Sequence, residues 1–397
     1  MKQSQMSGKV GLSETIAIDE KVKKLRAEGR RVISFGAGQP DAPTPASVCE
    51  AGIKAIRGGA TKYTSPGGCL ELRQAICEKL ARDNGLAYQP DQIVVSAGAK
   101  QSIFMALAVI VDPGEEVLLP APYWVSYPTQ VSILGGTSRV LPTDERTGFK
   151  ITAAQLRDAI TPRTACLILN SPSNPTGAVY SRAELEAIGE VVLETGIQVV
   201  TDEIYERIVF GGAEHVSLAS LSPELKALTA VVNGVSKAYS MTGWRIGYFA
   251  AEPEWAERAT ALQSHLSGNP CSVSQEAAIE ALLRGDESVR EMVSVFGRRR
   301  EKLLGLLRPA DRLGLCPPDG AFYAFPDVSG YFGLSAGGAV LEDDVALAGY
   351  LIEEAGVALV PGSGFGSPRH VRLSFATSDQ DIEDGVQSMV AALGKLG

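Results

Sequence analysis

Short apolar runs that alternate with amphipathic stretches predict an α/β fold: a mainly parallel sheet covered by helices on both faces, followed by a smaller α+β unit. Three observations carry this reading. Five strand-length apolar runs fill the middle of the chain, helical patterns separate several of them, and the pattern changes near residue 290. A strand that is apolar along its whole length is buried on both faces, as in a parallel sheet between two helical layers.

The 397 residues exceed what one compact core holds, so the chain divides into domains. The first forty residues are assigned to pack with the C-terminal unit, which gives expected boundaries at 1–44, 45–289 and 290–397. QIVVS (92–96) reads as a strand and leads into the helical pattern KQSIFMALAVIV. EEVLLP (115–120), TACLILN (164–170), IQVVTDE (197–203) and TAVVNG (229–234) are further strands. SRAELEAIGEVVLETG (181–196) reads as a helix, with Ser181 and Glu184 spaced as a capping box. Beyond residue 290, VREMVSVFGRRREKLLGLLRP is a long amphipathic helix. AFYAFPDV and VRLSFA are strand-like, and a helix closes the chain.

Composition excludes several function classes. A net charge of −9 and the lack of a basic run argue against a nucleic-acid partner. No stretch reaches eighteen apolar residues, and MKQSQMSGKVGL lacks the apolar core of a signal peptide. Six cysteines without CxxC spacing read as scattered thiols of a cytoplasmic protein. Three widely separated histidines make a histidine-based metal site an unpromising reading.

Polar signals gather where strands end, which is where open parallel sheets bind ligands. VVSAGAK (94–100) passes from strand through small residues into a helix, an arrangement that aims free N–H groups at an anion. LILNSPSNPTG (167–177) leaves a strand as a constrained loop, or as a plain turn. Asp202 ends an apolar strand, either as a helix cap or opposite a protonated cofactor nitrogen. NGVSKAYSMTGWRIGY (233–248) places Lys237 after a strand and Arg245 eight residues on. Such a lysine can condense with an aldehyde cofactor, and the planar fork of an arginine suits its phosphate.

The ordered combination of SPSNPTG, TDEIY and SKAYSMTGWRIGY resembles the class I aminotransferases, which are fold-type I pyridoxal 5′-phosphate enzymes. The resemblance extends from AIDEKVKKLRAEGRRVISFGAGQPD through TKYTSPGG and PYWVSYP to PGSGFG and HVRLSFA. It is nearest to bacterial aspartate aminotransferases of the subgroup that includes prephenate aminotransferases. It implies a large domain with a seven-stranded sheet, a small α+β domain, and a homodimer with shared active sites.

By this resemblance Lys237 is the Schiff-base lysine and the proton carrier, and Asp202 faces the pyridine nitrogen. Tyr205 and Asn174 bond the ring oxygen, and Trp124 stacks on the ring. Gly98, Ala99, Lys100, Ser236 and Arg245 hold the phosphate, joined by Tyr63 of the neighbouring subunit. Arg372 clamps the substrate α-carboxylate with help from the Gly38 backbone, while Lys100 and Thr15 meet a distal carboxylate. The implied reaction is amino transfer between aspartate or glutamate and a 2-oxo acid. Prephenate or aromatic substrates are the alternative within the family. Lyases of the same fold and cofactor-sensing regulators are the rivals outside it. The sequence departs from many relatives at Gln39 and Ala42, where they carry glutamate and phenylalanine. It departs again at Gly234, where they carry a phosphate-binding serine.

Overall fold

The computed structural model describes residues 4, 6–11, 14–336 and 339–397. Its centre is a sheet of seven strands: β1 (Ile93–Ser96), β2 (Glu116–Ala121), β3 (Thr137–Pro142), β4 (Thr164–Asn170), β5 (Gln198–Asp202), β6 (Thr229–Gly234) and β7 (Gly247–Ala250). They lie in the order β1-β7-β6-β5-β4-β2-β3. All neighbours are parallel except β7, which runs antiparallel to β1 and β6. The carboxyl ends of the other strands therefore share one edge, and β7 begins there.

Successive side chains on these strands enter different cores. Val117, Leu119, Cys166 and Ile168 pack on one face with Ile103 and Leu107 of helix α1 (Ala99–Ile110). Leu118, Leu167 and Leu169 pack on the other with Leu185, Ile188 and Val192 of α2 (Arg182–Thr195). Burial of both faces removes apolar area from water on each side, and this sets the layered order. The α2 cap forms as expected, with Ser181 Oγ accepting from Glu184 N at 3.3 Å and Glu184 Oε2 accepting from Ser181 N at 2.8 Å.

Sequence patterning missed two of the seven strands. TSRVLP of β3 is a mixed, partly exposed edge strand, and GYFA of β7 is only four residues long. Neither supplies an apolar run long enough to stand out.

The chain ends pack together. Ile33–Ser34 pairs in parallel with Val357–Ala358. Val22, Leu25 and Val32 form a core with Ile352 and Ala358. The first two belong to the N-terminal helix Glu14–Ala27. A small antiparallel sheet joins β8 (Tyr323–Ala324), β9 (Val360–Pro361) and β10 (Val371–Ser374) in the order β9-β10-β8. The long helix Asp286–Leu307 continues through residues 289 and 290, where the sequence reading sets a boundary. Among the described residues no helix is long and apolar enough to cross a membrane.

Candidate active site

The carboxyl edge of the sheet, β10 and the N-terminal helix enclose a cavity of about 780 Å³. Lys237 enters it from the turn after β6, and its Nζ donates to Gly38 O. Burial, together with the charges of Arg372 and Arg245, lowers the Lys237 amine to about 8. Near neutral pH such an amine spends an appreciable fraction of its time unprotonated, the form that attacks a carbonyl.

Asp202 is the last residue of β5 and also lines the cavity. Its Oδ2 accepts from the Tyr127 hydroxyl at 2.7 Å, and its Oδ1 accepts from Ile204 N at 3.2 Å. Burial still raises its carboxyl to about 6, outweighing these two bonds and the nearby charge of Lys237. Tyr205 follows on the next turn, with its hydroxyl 2.8 Å from that of Tyr323. Asn170, at the end of β4, accepts from Asn174 N at 2.8 Å and donates to the Asp202 carbonyl at 2.8 Å. The two loops are thereby tied together beside the cavity.

At the opposite end, α1 begins immediately after Gly98, whose φ of +89° suits only glycine. The Arg245 guanidinium lies against Gly98 at this helix start, and Ser236 lines the same cavity. Arg245 itself holds a left-handed φ of +58° and donates to the Thr242 and Ala97 carbonyls at 2.9 and 3.0 Å. A backbone outlier beside a cavity is a frequent mark of function. The departure at Gly234 has a steric cause. A Cβ there would lie 2.9 Å from Gly247 Cα and 3.0 Å from Ile246 O, so β6 and β7 approach too closely for serine.

Arg372 reaches the cavity from β10 and is 1% exposed. It donates to Asn174 Oδ1 at 2.9 Å and to Gly36 O at 2.8 Å, and its Nε is buried without a partner. The Tyr323 ring lies 4.4 Å from the guanidinium carbon. No described carboxylate pairs with this buried cation. Lys100 Nζ lies 4.9 Å from the centre of the Trp124 ring, and both line the cavity with Thr15. Gln39 accepts from Thr242 Oγ1 at 3.2 Å, whereas Ala42 is exposed. Tyr63 stands apart at 96% exposure. The fold thus gathers every candidate except Tyr63 at or directly beside one cavity.

Residues 30–389 match the family model for aminotransferase class I and II. The chain belongs to this family. It is 47% identical over 387 residues to an aspartate aminotransferase of Geobacillus stearothermophilus, covering 98% of each chain. It is 45% identical over 395 residues to an aspartate/prephenate aminotransferase of Cereibacter sphaeroides, covering 98% of this chain and 99% of the relative. The crystal structure of the Rhizobium meliloti aspartate aminotransferase superimposes with a TM-score of 0.97 at 41% identity, covering 100% of both chains.

In this class I and II aminotransferase, three residues at the site escaped the sequence reading. Tyr127 sits in PYWVSYP, Asn170 precedes SPSNPTG and Tyr323 lies in AFYAFPDV. Each fell inside or next to a segment already singled out. Only the folded contacts separate them from ordinary packing residues.

Proposed function

We propose that the chain transfers an amino group between aspartate or glutamate and a 2-oxo acid, using pyridoxal 5′-phosphate. One observation carries this: an amine of lowered pKa, an unpaired buried carboxylate and an unpaired buried guanidinium share one cavity. The cavity suits that cofactor. Gly98 turns the chain into the helix, its own N–H held by Ser96 O, while Ala99, Ser236 and Arg245 offer donors for a phosphate and Lys100 adds charge at the same end. Asp202 offers an anion for a ring nitrogen, and Lys237 offers the amine for an aldehyde. When bound, the cofactor supplies an electron sink for the substrate α-carbon.

The residues then divide the work. Lys237 Nζ takes the α-proton and returns it, a task suited to an amine that titrates near the working pH. Asp202, oriented by Tyr127, holds positive charge at the ring nitrogen. Tyr205 and Asn174 face the ring oxygen, and Trp124 covers the ring. Arg372 pairs with the α-carboxylate, aided by the Gly38 backbone. Lys100 and Thr15 meet the distal carboxylate. The exposed Tyr63 reaches a phosphate in a partner copy, so the working unit is a homodimer. The same reading keeps residues 1–44 with 290–397 as the smaller unit and 45–289 as the larger.

The name of the Cereibacter relative favours prephenate as a second substrate, since a flexible lysine tolerates differently placed carboxylates. Incubation with aspartate and 2-oxoglutarate is expected to yield oxaloacetate and glutamate. Release of ammonia or carbon dioxide without glutamate would replace transamination by a lyase reaction.

A further inference from the structure

The N-terminal helix Glu14–Ala27 presents Thr15, Asp19 and Lys23, spaced four residues apart, to the cavity. Asp19 Oδ1 lies 3.6 Å from where a Cβ on Gly36 would sit, and Gly36 O accepts from Arg372 Nη2. Asp202 and Asp381 also line the cavity. Burial lowers the Arg372 guanidinium, and Tyr323, Tyr205 and, after them, Asp19 work against that; Asp19 is the one carboxylate among these. The influence is mutual: burial raises the Asp19 carboxyl, while Lys23 and Arg372 pull it back down.

We infer that Asp19 is the resting counter-charge of Arg372 and sets how tightly anionic substrates bind. The inference rests on Arg372 as the carboxylate anchor. An incoming carboxylate bonds the guanidinium directly, and Asp19 then faces a second negative charge across the same cavity. Asp19 stabilises the empty site and opposes the filled one. A dicarboxylate brings two charges into that field and meets more opposition than a neutral amino acid. The residue thus shifts the balance between acidic and neutral substrates without touching the reacting atoms.

The test measures succinate, a dicarboxylate with no amine, binding to the holoenzyme by calorimetry. Asp19→Asn is expected to tighten succinate roughly two- to fivefold, as for removal of one partly screened charge. Asp19→Ser should share this gain, and Asp19→Glu should remain close to the parent. Arg372→Lys is expected to weaken succinate by about tenfold or more through loss of the bidentate fork. In kinetics, Asp19→Asn should lower KM for aspartate more than for alanine. Unchanged or weaker succinate binding in both neutral variants, with Arg372→Lys still impaired, overturns the role of Asp19 and leaves the anchor standing. Undiminished binding in Arg372→Lys overturns the anchor and this inference with it.

Discussion

At the residue scale, the site holds charges that the empty protein cannot fully satisfy. Asp202 has a folded pKa of about 6 against a usual 3.8. Its contribution to the stability of the cofactor-free protein is therefore present below about pH 4 and lost as the pH rises through 6. Asp202→Asn keeps an acceptor for Tyr127 and removes the charge. It should stabilise the cofactor-free protein by roughly 2 kcal/mol at pH 7.5, a gain that vanishes below about pH 4. Urea titrations at the two pH values read this directly, and proton abstraction should slow sharply in the same variant. For Lys237, borohydride reduction of the holoenzyme followed by peptide mapping should place the label on this residue, and a label elsewhere ends its assignment. Lys100→Ala should cost aspartate about one to two decades in kcat/KM and alanine or tyrosine far less, as expected for one lost charge-assisted contact. Equal losses across the three would move Lys100 from substrate to cofactor.

At the element scale, the phosphate end depends on how closely three backbones approach. β7 passes between β1 and β6, and its first residue, Gly247, lies against the start of α1. A Cβ on Gly247 would overlap Ala99 N and Gly98 C, both backbone atoms that cannot turn aside. Gly247→Ala must therefore push the helix start off its position. The expected loss is about 1–3 kcal/mol of stability, with a marked fall in affinity for the phosphate-bearing cofactor. Denaturant unfolding and cofactor titration measure the two effects, and an unaltered cofactor affinity would detach this contact from the anion site. Gly234 is crowded in turn by Gly247 and Ile246, so on the proposed reading the donors for a phosphate are Ser236 and the free amides of α1.

At the scale of the whole molecule, the cavity joins parts that are far apart in the chain. Arg372 stands 336 positions after Gly36 yet bonds its carbonyl, and Glu145 of the sheet region meets His370 at 2.6 Å. The bidentate pair of Arg299 with Asp41, at 2.8 and 2.9 Å, fixes the segment that carries Gly38 and Gln39 to the long helix. Tyr63 remains outside this closed set. If it serves a neighbouring copy, mixing Lys237→Ala with Tyr63→Phe subunits should regenerate some complete sites and raise activity above either variant alone. Activity that never exceeds that of the Tyr63→Phe protein would return Tyr63 to its own subunit.

The sequence by itself determined the layered α/β class, five of the central strands, and the lysine, carboxylate and arginine of the site. Each of these follows from short-range signals: apolar runs of strand length, a polar residue at the strand end, and ordered motifs that resemble a family. What only the tertiary structure decided has no local signature. The bond from Tyr127 to Asp202 spans 75 positions, and that between Tyr205 and Tyr323 spans 118. The glycine at 234 looked like a lost ligand until β6 and β7 were brought side by side. Arg372 read as an ordinary strand residue apart from its motif. Its meaning came from burial, because a guanidinium with no carboxylate in direct contact awaits an anion only once the fold has taken water away from it.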